Sequence, residues 1–310
     1  MKTPFQASIT TQAVSHALNL SSPLVALEST VITHGLPHPQ NLNLARDMEA
    51  AVREEGAVPA TIAVINGQIR VGLGDSEIEE LSRLSQAMKI SRRDFATAIV
   101  KKASGGTTVA GTMFAAHQAG IQVFATGGIG GVHRETPFDI SADLQALADT
   151  PMIVVCAGAK AILDLPATLE YLETMSVPVV GFMTDEFPAF YSRESGLKVS
   201  VKLDSAEEIA AFAQAHWGAG ARSAILVTNP IPITEAISRS EMEPFIAQAS
   251  AEAIQKKIHG QALTPFLLQR ITELTQGKSL RANLSLLLNN ARLAAQIATA
   301  LTTQQRTRTL

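Results

Sequence analysis

The sequence predicts an α/β protein with a mixed β-sheet and a helical C-terminal region, and three patterns carry that prediction. Short apolar runs alternate with segments of helical periodicity through most of the 310 residues, as in proteins whose strands and helices alternate. Asn66-Gly67 separates two apolar runs and suits the two positive φ angles of a type I′ turn, so one strand pair should be antiparallel. The last third contains helix starts and stops but few strand patterns.

The first elements follow in chain order. Val25-Ala26-Leu27 is predicted to be a buried strand that ends at Glu28. The next helix ends at Gly56, which suits a left-handed cap, and it carries apolar residues at helical spacing, namely Leu44, Met48, Ala51 and Val52. Residues 61–65 and 68–71 are the hairpin strands. Ser76-Glu77-Ile78-Glu79 is a capping-box pattern that predicts a helix through Met88, with Lys89 just past its end.

The remaining elements continue this alternation. Gly105-Gly106-Thr107-Thr108 leads into a helix of small residues over 109–119, and strands are predicted at 121–125, 153–156, 177–182 and 224–227. Helix starts are predicted at Ser205, Ser240 and Thr264-Pro265. From Ser279 a long amphipathic helix runs toward a polar tail over about residues 302–310. Because no linker rich in Pro, Gly or Ser interrupts the chain, we expect one α/β domain over residues 1–310, with its core at about 21–297.

Composition excludes several classes of protein. Apolar residues make up 46% of the chain and charged residues 17%, which is typical of a globular protein with a sizeable core. The net charge of −3 gives no electrostatic reason to bind nucleic acid or membranes. The single cysteine, Cys156, excludes an intrachain disulfide and a cysteine-based zinc site. With no secretion signal and no apolar run of membrane-spanning length, a cytoplasmic location is expected.

Lys160 is the most unusual residue of the sequence. It closes the apolar run Met152-Ile153-Val154-Val155-Cys156-Ala157-Gly158-Ala159, at the carboxyl end of a predicted strand. Open α/β sheets bind ligands at that end, and a desolvated lysine can lose its proton and form a Schiff base with a carbonyl substrate. The alternative is a lysine whose amine simply reaches water.

Glu28 is the second unusual residue, because it ends an apolar strand and precedes Ser29 and Thr30. A carboxyl group in such a place can have a raised pKa and serve as a general acid or base. An ordinary loop carboxylate is the alternative.

Two glycine clusters predict backbone that approaches a ligand closely. Gly105-Gly106-Thr107-Thr108 before a helix offers N–H groups and hydroxyls to an anion, but neither this cluster nor Gly127-Gly128-Ile129-Gly130-Gly131 matches a nucleotide-binding fingerprint. Because cationic residues lie near both clusters, a small phosphorylated substrate fits better than a nucleotide cofactor; the same residues could equally be solvated surface charge. They are Lys89, Arg92, Arg93, His133 and Arg134.

Asp139 and Asp143 flank Ser141 at a predicted helix start. Carboxylates of this kind suit a hard divalent cation such as Mn²⁺ or Mg²⁺. The same residues could instead cap the helix and favour its positive end.

Seven motifs occur in one order along the chain. They are Ala26-Leu27-Glu28-Ser29-Thr30 with His34-Gly35, Gly56-Ala57-Val58-Pro59-Ala60-Thr61-Ile62-Ala63, Ser91-Arg92-Arg93-Asp94, Phe124-Ala125-Thr126-Gly127-Gly128-Ile129-Gly130-Gly131-Val132-His133-Arg134, Phe138-Asp139-Ile140-Ser141-Ala142-Asp143-Leu144, Val155-Cys156-Ala157-Gly158-Ala159-Lys160 and Asn229-Pro230-Ile231-Pro232. Together they resemble the pseudouridine-5′-phosphate glycosidases, the indigoidine synthase A-like family, from about Ser21 to Ile297. The loop from Arg134 to Phe138 is shorter than in some members.

The resemblance implies a three-layer αβα sandwich, a homotrimer and a lyase or glycosidase reaction. The family splits the C–C bond between ribose C1′ and uracil C5 of pseudouridine 5′-phosphate, which yields uracil and ribose 5-phosphate and consumes water. It implies that Lys160 is the nucleophile that forms a Schiff base and that Glu28 donates and accepts protons.

The remaining roles are also implied by the resemblance. Asp139 is expected to bind one Mn²⁺ ion per subunit, and His133 and Arg134 are expected near the phosphate. Asn289 is expected near the base. The other expected substrate-binding residues are Lys89, Thr108, Val109, Ser141, Ala142 and Asp143.

Two other functions remain open from sequence. One is a lysine-dependent lyase or C-glycosidase that acts on another phosphorylated sugar or C-nucleotide, as in pigment biosynthesis. The other is a non-catalytic sugar-phosphate binding protein. The presence of both Glu28 and Lys160 argues against a mere binder, since binding alone does not need an amine beside a carboxylic acid.

Overall fold

The structure is a computed structural model that describes residues 8–134 and 139–308; the shortened loop after Arg134 lies largely outside these residues. The strands are β1 (Ser8–Thr10), β2 (Leu24–Leu27), β3 (Val58–Ile65), β4 (Gln68–Val71), β5 (Met88–Ile90), β6 (Gly105–Thr107), β7 (Val123–Ala125), β8 (Val132–His133), β9 (Ile153–Cys156), β10 (Leu163–Asp164), β11 (Val179–Phe182), β12 (Val201–Leu203) and β13 (Ile225–Thr228). The α-helices are α1 (Gln12–Asn19), α2 (Gln40–Glu54), α3 (Asp75–Ser82), α4 (Phe95–Val100), α5 (Val109–Gln118), α6 (Ala142–Asp149), α7 (Leu165–Thr174), α8 (Ala206–Gly218), α9 (Arg239–Gln255), α10 (Leu263–Leu274) and α11 (Lys278–Arg308).

A mixed, mostly parallel sheet forms the centre of the fold. Among the described residues it has eleven strands, nine of them in the order β1-β4-β3-β2-β7-β9-β13-β11-β12, with β6 paired to β3 and β5 to β6. Only the β3–β4 and β3–β6 pairs of this sheet are antiparallel within the described chain. Asn66 and Gly67 have φ angles of 51° and 77°, which confirms the predicted hairpin turn.

Helices cover the sheet on both sides and confirm the αβα sandwich. α11 packs along α2 and α8 and against β2, β7 and β9, whereas α5 packs against α6 and against β2 and β3. Every residue of β7, β9 and β13 is buried, as expected for central parallel strands covered on both faces.

The prediction of a helix from Ser76 through Met88 is wrong at both ends. The helix begins after Gly74, whose backbone N–H donates to the Glu77 carboxylate at 2.9 Å, and it ends at Ser82. Met88–Ile90 forms β5 because it pairs in parallel with Gly105–Thr107 of β6. Lys89 therefore lies on a strand, opposite Gly106, rather than beyond a helix.

The C-terminal region is helical, as predicted. α9 starts at Arg239 with Ser238 as its cap, two residues before the predicted start at Ser240. α11 continues through the segment expected to be a polar tail as far as Arg308, the last described residue. No helix in the described part of the chain combines the length and apolar character that a membrane crossing requires.

Candidate active site

Lys160 is held at the carboxyl end of β9 by the turn that follows the strand. Gly158 has a φ of +90°, and a Cβ atom at this position would lie 2.2 Å from the Pro188 carbonyl oxygen, so a side chain is excluded there. The Lys160 backbone N–H donates to the Ile129 carbonyl at 3.1 Å. The side chain is half-buried and lines a cavity of about 70 Å³.

Glu28 lines the same cavity. It follows β2, whose neighbours in the sheet are β3 and β7, so its side chain emerges at the carboxyl edge of the parallel strands. The Thr126 hydroxyl, one residue beyond β7, donates a hydrogen bond to the Glu28 carboxylate. An amine and a carboxyl group therefore face one small space, as the sequence led us to expect.

The environment of Glu28 raises the pKa of its carboxyl group above the ordinary value of 4.5. Removal from water is the largest cause, because it disfavours the charged form. The positive charge of Lys160 and the hydrogen bond from Thr126 lower the pKa and oppose this effect only in part. A carboxyl group that keeps its proton toward neutral pH is suited to general acid–base chemistry.

Two further cationic or titratable side chains line this cavity. The pKa of Lys89 is lowered, first by burial and then by the positive charge of Lys160. The pKa of His34 is lowered by burial and by Lys89. His34 Nδ1 lies 2.7 Å from the Thr33 hydroxyl. The cavity thus contains a neutral imidazole at neutral pH beside the lysines.

Asp143 is buried and joins two segments of the site. Its carboxylate accepts the backbone N–H of Ala110 at 3.0 Å and that of Gly130 at 2.8 Å. These bonds bring the N-terminus of α5, capped by Thr108, toward that of α6, capped by Ser141. Both oxygens of Asp143 are engaged with the backbone, so the structure gives this residue a role in holding Val109 and the glycine loop in place.

His133, Arg134 and Asp139 line a second cavity, of about 350 Å³, rather than the first. Burial lowers the pKa of His133, and the charges of Lys160 and Lys89 contribute. His133 of β8 pairs with Leu163 of β10, three residues after Lys160, so the two cavities lie close to each other. The negative charge of Asp139 raises the pKa of His133 and so opposes these effects.

The Arg134 guanidinium is occupied by the chain that follows Lys160. It donates to the carbonyl oxygens of Leu163 at 3.1 Å and Ala161 at 2.9 Å, and it forms an ion pair with Glu243. These contacts anchor the segment after Lys160 to helix α9. Because the guanidinium is engaged in these contacts, its hydrogen bonds do not support the prediction that Arg134 lies near the phosphate.

Asp139 is the residue that could hold a metal ion. Within residues 8–134 and 139–308 its carboxylate has no hydrogen-bond or ion-pair partner in the protein, and no three His, Cys, Asp or Glu side chains cluster as metal ligands. One free carboxylate fits a hard divalent cation that keeps most of its ligands as water or substrate oxygens. It does not fit a cation enclosed by protein ligands alone.

The amide expected near the base is not at the cavity. The Asn289 side chain donates to the Pro230 carbonyl at 3.3 Å, and Asn289 is not among the cavity-lining residues. Asn283, six residues earlier on α11, lines the cavity instead.

Sequence reasoning also missed Thr126 and Phe190; the Phe190 ring lines the cavity and packs against Gly128, where an added Cβ would lie 2.7 Å from the ring. Thr126 could have been found, because it follows a predicted strand just as Glu28 and Lys160 do.

The fold and the cavity define a class of protein: an α/β enzyme that presents a lysine amine and a carboxyl group at the carboxyl edge of a mostly parallel sheet. The chain belongs to the family described as indigoidine synthase A like protein, whose model matches residues 13–300.

Two relatives illustrate the similarity in sequence. The chain is 59% identical over 293 residues to a pseudouridine-5′-phosphate glycosidase of Paracoccus denitrificans, covering 93% of this chain and 96% of the relative. It is 54% identical over 292 residues to a protein of the same name from Caldanaerobacter subterraneus subsp. tengcongensis, covering 94% and 95%.

Two solved structures share the fold. The prealnumycin C-glycosynthase AlnA, solved in complex with ribulose 5-phosphate, has a TM-score of 0.91 and 42% identity, covering 98% of this chain and 100% of that one. An indigoidine synthase A-like protein of Thermotoga maritima has a TM-score of 0.87 and 34% identity, covering 95% and 96%.

Proposed function

We propose that the protein cleaves the C–C glycosidic bond of pseudouridine 5′-phosphate, with water, to uracil and ribose 5-phosphate. The observation that carries this proposal is the meeting of Glu28 and Lys160 in one cavity. The names of the relatives at more than half identity supply the substrate.

The chemistry explains why a lysine is needed. An ordinary glycosidase expels an oxygen leaving group between two carboxylates, whereas a carbon leaving group needs an electron sink at C1′. In the proposed reaction, protonated Glu28 gives its proton to the ring oxygen as the C1′–O4′ bond breaks. The base loses its N1 proton to water in this step, so that N1=C6 and C5=C1′ double bonds form. The Lys160 amine then adds to C1′, the electron pair of the C5=C1′ bond returns to the base, N1 regains a proton and Nζ loses one.

Bond cleavage follows from this adduct. When C5 of the base takes a proton, the C1′–C5 bond breaks and its electron pair stays with uracil. The lone pair of Lys160 Nζ forms the C=N bond to C1′. Water then adds to this imine and releases ribose 5-phosphate and the free amine. Glu28 is the group that moves protons between these steps.

We assign the phosphate to the region between Lys89 and the N-termini of α5 and α6. Lys89 supplies a cation, and the N-termini of the two helices supply a dipole that favours an anion. The substrate-binding residues proposed there are Thr108, Val109, Ser141, Ala142 and Asp143. His133 belongs to the adjoining cavity and is proposed to lie at its border. Asn283 replaces Asn289 as the candidate for contact with the base.

Mn²⁺ is the proposed cofactor, with Asp139 as its protein ligand. When bound, such an ion would neutralise negative charge on substrate oxygens and help to orient them. Within residues 8–134 and 139–308 the Asp139 carboxylate has no hydrogen-bond or ion-pair partner, which supports this proposal.

The family resemblance supports a homotrimer in the cytoplasm that serves nucleobase breakdown. Light scattering on the purified protein tests the assembly, with three times the chain mass of 32.8 kDa as the expected result.

The function is tested by the release of uracil from pseudouridine 5′-phosphate, followed by ultraviolet absorbance with and without Mn²⁺. Release that depends on Glu28 and Lys160 supports the proposal. Calorimetric binding without product would instead favour a sugar-phosphate binding protein.

A second candidate function is a C-glycosidase or lyase acting on a different phosphorylated sugar or C-nucleotide, as in pigment biosynthesis. It is favoured by the similarity to the C-glycosynthase solved with ribulose 5-phosphate. Turnover of such a substrate without any release of uracil from pseudouridine 5′-phosphate would select this alternative.

A further inference from the structure

Asn290 is a fully buried polar side chain that reaches the active site from α11. Its amide nitrogen donates to the Thr126 carbonyl at 2.9 Å and to the Gly127 carbonyl at 3.4 Å. Its amide oxygen accepts a hydrogen bond from the Asn229 side chain at 3.2 Å. Two carbonyls on one side and a donor on the other fix the orientation of this amide.

The two carbonyls belong to the segments that carry the catalytic pair. Thr126 is the residue whose hydroxyl donates to the Glu28 carboxylate. The Gly127 carbonyl also accepts the backbone N–H of Ala157 at 2.9 Å, three residues before Lys160. The Thr126–Gly127 segment, with its two consecutive carbonyls, is therefore the point at which the Glu28 side and the Lys160 side of the cavity meet.

Asn229 extends this connection to a third strand. It follows β13, and its backbone N–H donates to the Cys156 carbonyl at the end of β9 at 2.8 Å. The amide pair of Asn229 and Asn290 thus links the carboxyl ends of β7, β9 and β13 to helix α11. Buried hydrogen-bond networks of this kind favour a single geometry, because a buried polar group left unpaired is costly.

We propose that Asn290 is a positioning residue for the catalytic pair: its amide holds the Thr126–Gly127 segment where the Thr126 hydroxyl meets Glu28 and the Gly127 carbonyl meets the segment before Lys160. Asn290 acts through these residues and does not line the cavity itself. The roles of Glu28 and Lys160 rest on the proposed function, whereas the connection through Thr126 does not.

The test uses Asn290→Leu, which keeps a similar volume but removes both amide groups. Displacement of Thr126 would weaken its hydrogen bond to Glu28, so the pKa of the Glu28 carboxyl should rise. The pKa is measured by ¹³C NMR of protein labelled at glutamate, with Glu28→Gln to assign the signal. The other groups that act on Glu28, namely Lys160, Asp143 and Lys89, are the same in every variant.

A double-mutant cycle with Thr126→Val separates this route from a general loosening of the fold. We expect Asn290→Leu to shift the Glu28 titration in the same direction as Thr126→Val, and to add nothing when Thr126 is already Val. The kcat for uracil release should fall about tenfold or more with little change in KM, since misplaced groups slow the chemical step. Gln296→Leu is the control on the same helix, because Gln296 is exposed and its amide donates to Glu55 at 3.1 Å, and this variant should titrate like the wild type.

A folded Asn290→Leu variant in which Glu28 titrates as in the wild type would overturn the proposal, and so would shifts that simply add in the double variant. If Asn290→Leu does not fold, the same cycle with Asn290→Ser decides the question. Because the titration needs no substrate, a wild-type protein that releases no uracil would remove the proposed function and leave the positioning role to be judged by the titration.

Discussion

The Thr126 hydroxyl donates a hydrogen bond to the Glu28 carboxylate across the adjacent strands β7 and β2. Burial raises the pKa of Glu28. The hydrogen bond from Thr126 and the positive charge of Lys160 both lower the pKa and so oppose that rise. Burial therefore sets the direction of the pKa shift of Glu28, and two groups from neighbouring strands, the Lys160 charge and then the Thr126 hydroxyl, limit it.

Thr126→Val should raise the pKa of Glu28 further, because the bond that stabilises the carboxylate is lost while the burial remains. In a pH profile of kcat, the limb that reports ionisation of Glu28 should move to higher pH. Thr126→Ser keeps a hydroxyl and is the control. Identical profiles for the Val and Ser variants would show that this hydrogen bond does not govern the titration.

Glu28→Gln should lower kcat strongly while making the protein more stable at neutral and alkaline pH. Since the folded-state pKa of Glu28 lies above the ordinary 4.5, the native state favours the protonated form, and this contribution is lost as pH rises through the folded-state value. Glutamine, which has no charge, avoids that loss. Loss of general acid–base catalysis typically costs about 10²–10⁴-fold in rate.

Urea unfolding of both proteins, from about pH 4.5 to above neutrality, measures this difference. The two free energies of unfolding should agree at the acid end and separate as pH rises. A variant that is less stable than the wild type at high pH would contradict the assigned direction of the pKa shift.

Arg134→Lys should slow the chemistry rather than weaken phosphate binding. Lysine cannot reproduce the fork that holds the Ala161 and Leu163 carbonyls, so the segment after Lys160 should lose its fixed position. We expect kcat to fall about tenfold or more, with a small change in KM.

Arg46→Lys is the control for this substitution, because Arg46 forms a two-bond contact with Asp75 on the exposed surface. A large increase in KM for the Arg134 variant at unchanged kcat would instead support contact between Arg134 and the phosphate.

Gly105→Ala should destabilise the fold and disturb Lys89. An added Cβ would lie 1.9 Å from the Met88 carbonyl oxygen, so strand β5, which carries Lys89, must move away from β6. We expect a loss of about 1–3 kcal/mol in the free energy of unfolding, together with weaker binding of ribose 5-phosphate.

Gly218→Ala in α8 is the matched control, since an added Cβ there meets nothing within 4 Å. Thermal unfolding and calorimetry compare the two variants. Equal stability of the Gly105 and Gly218 variants would contradict the tight packing between β5 and β6.

Local patterns explain which parts of the fold were predictable. Asn66-Gly67 encodes its turn within two residues, and the apolar run before Lys160 encodes a buried strand. β5 was missed because Met88–Ile90 becomes a strand only by pairing with Gly105–Thr107, which is distant in sequence. Helix α3 was misplaced because glycine is a less common cap than the serine of the pattern.

In the site, too, features encoded by local sequence were predictable, whereas features that depend on packing were not. Glu28 and Lys160 stand out in sequence because each ends an apolar strand. Asn283, Asn289 and Asn290 lie on one helix, and adjacent residues point about 100° apart, so only packing decides which amide meets the cavity and which meets Thr126. For Arg134, too, the sequence could show a cation near a glycine loop but not the two carbonyls that occupy it.

The most direct test of the account is borohydride trapping of the protein with ribose 5-phosphate, followed by mass spectrometry of its peptides. We predict one reduced adduct per chain, on Lys160, and none on Lys160→Ala. An adduct on Lys89, or equal labelling of Lys160→Ala and the wild type, would contradict the claim that Lys160 forms the Schiff base.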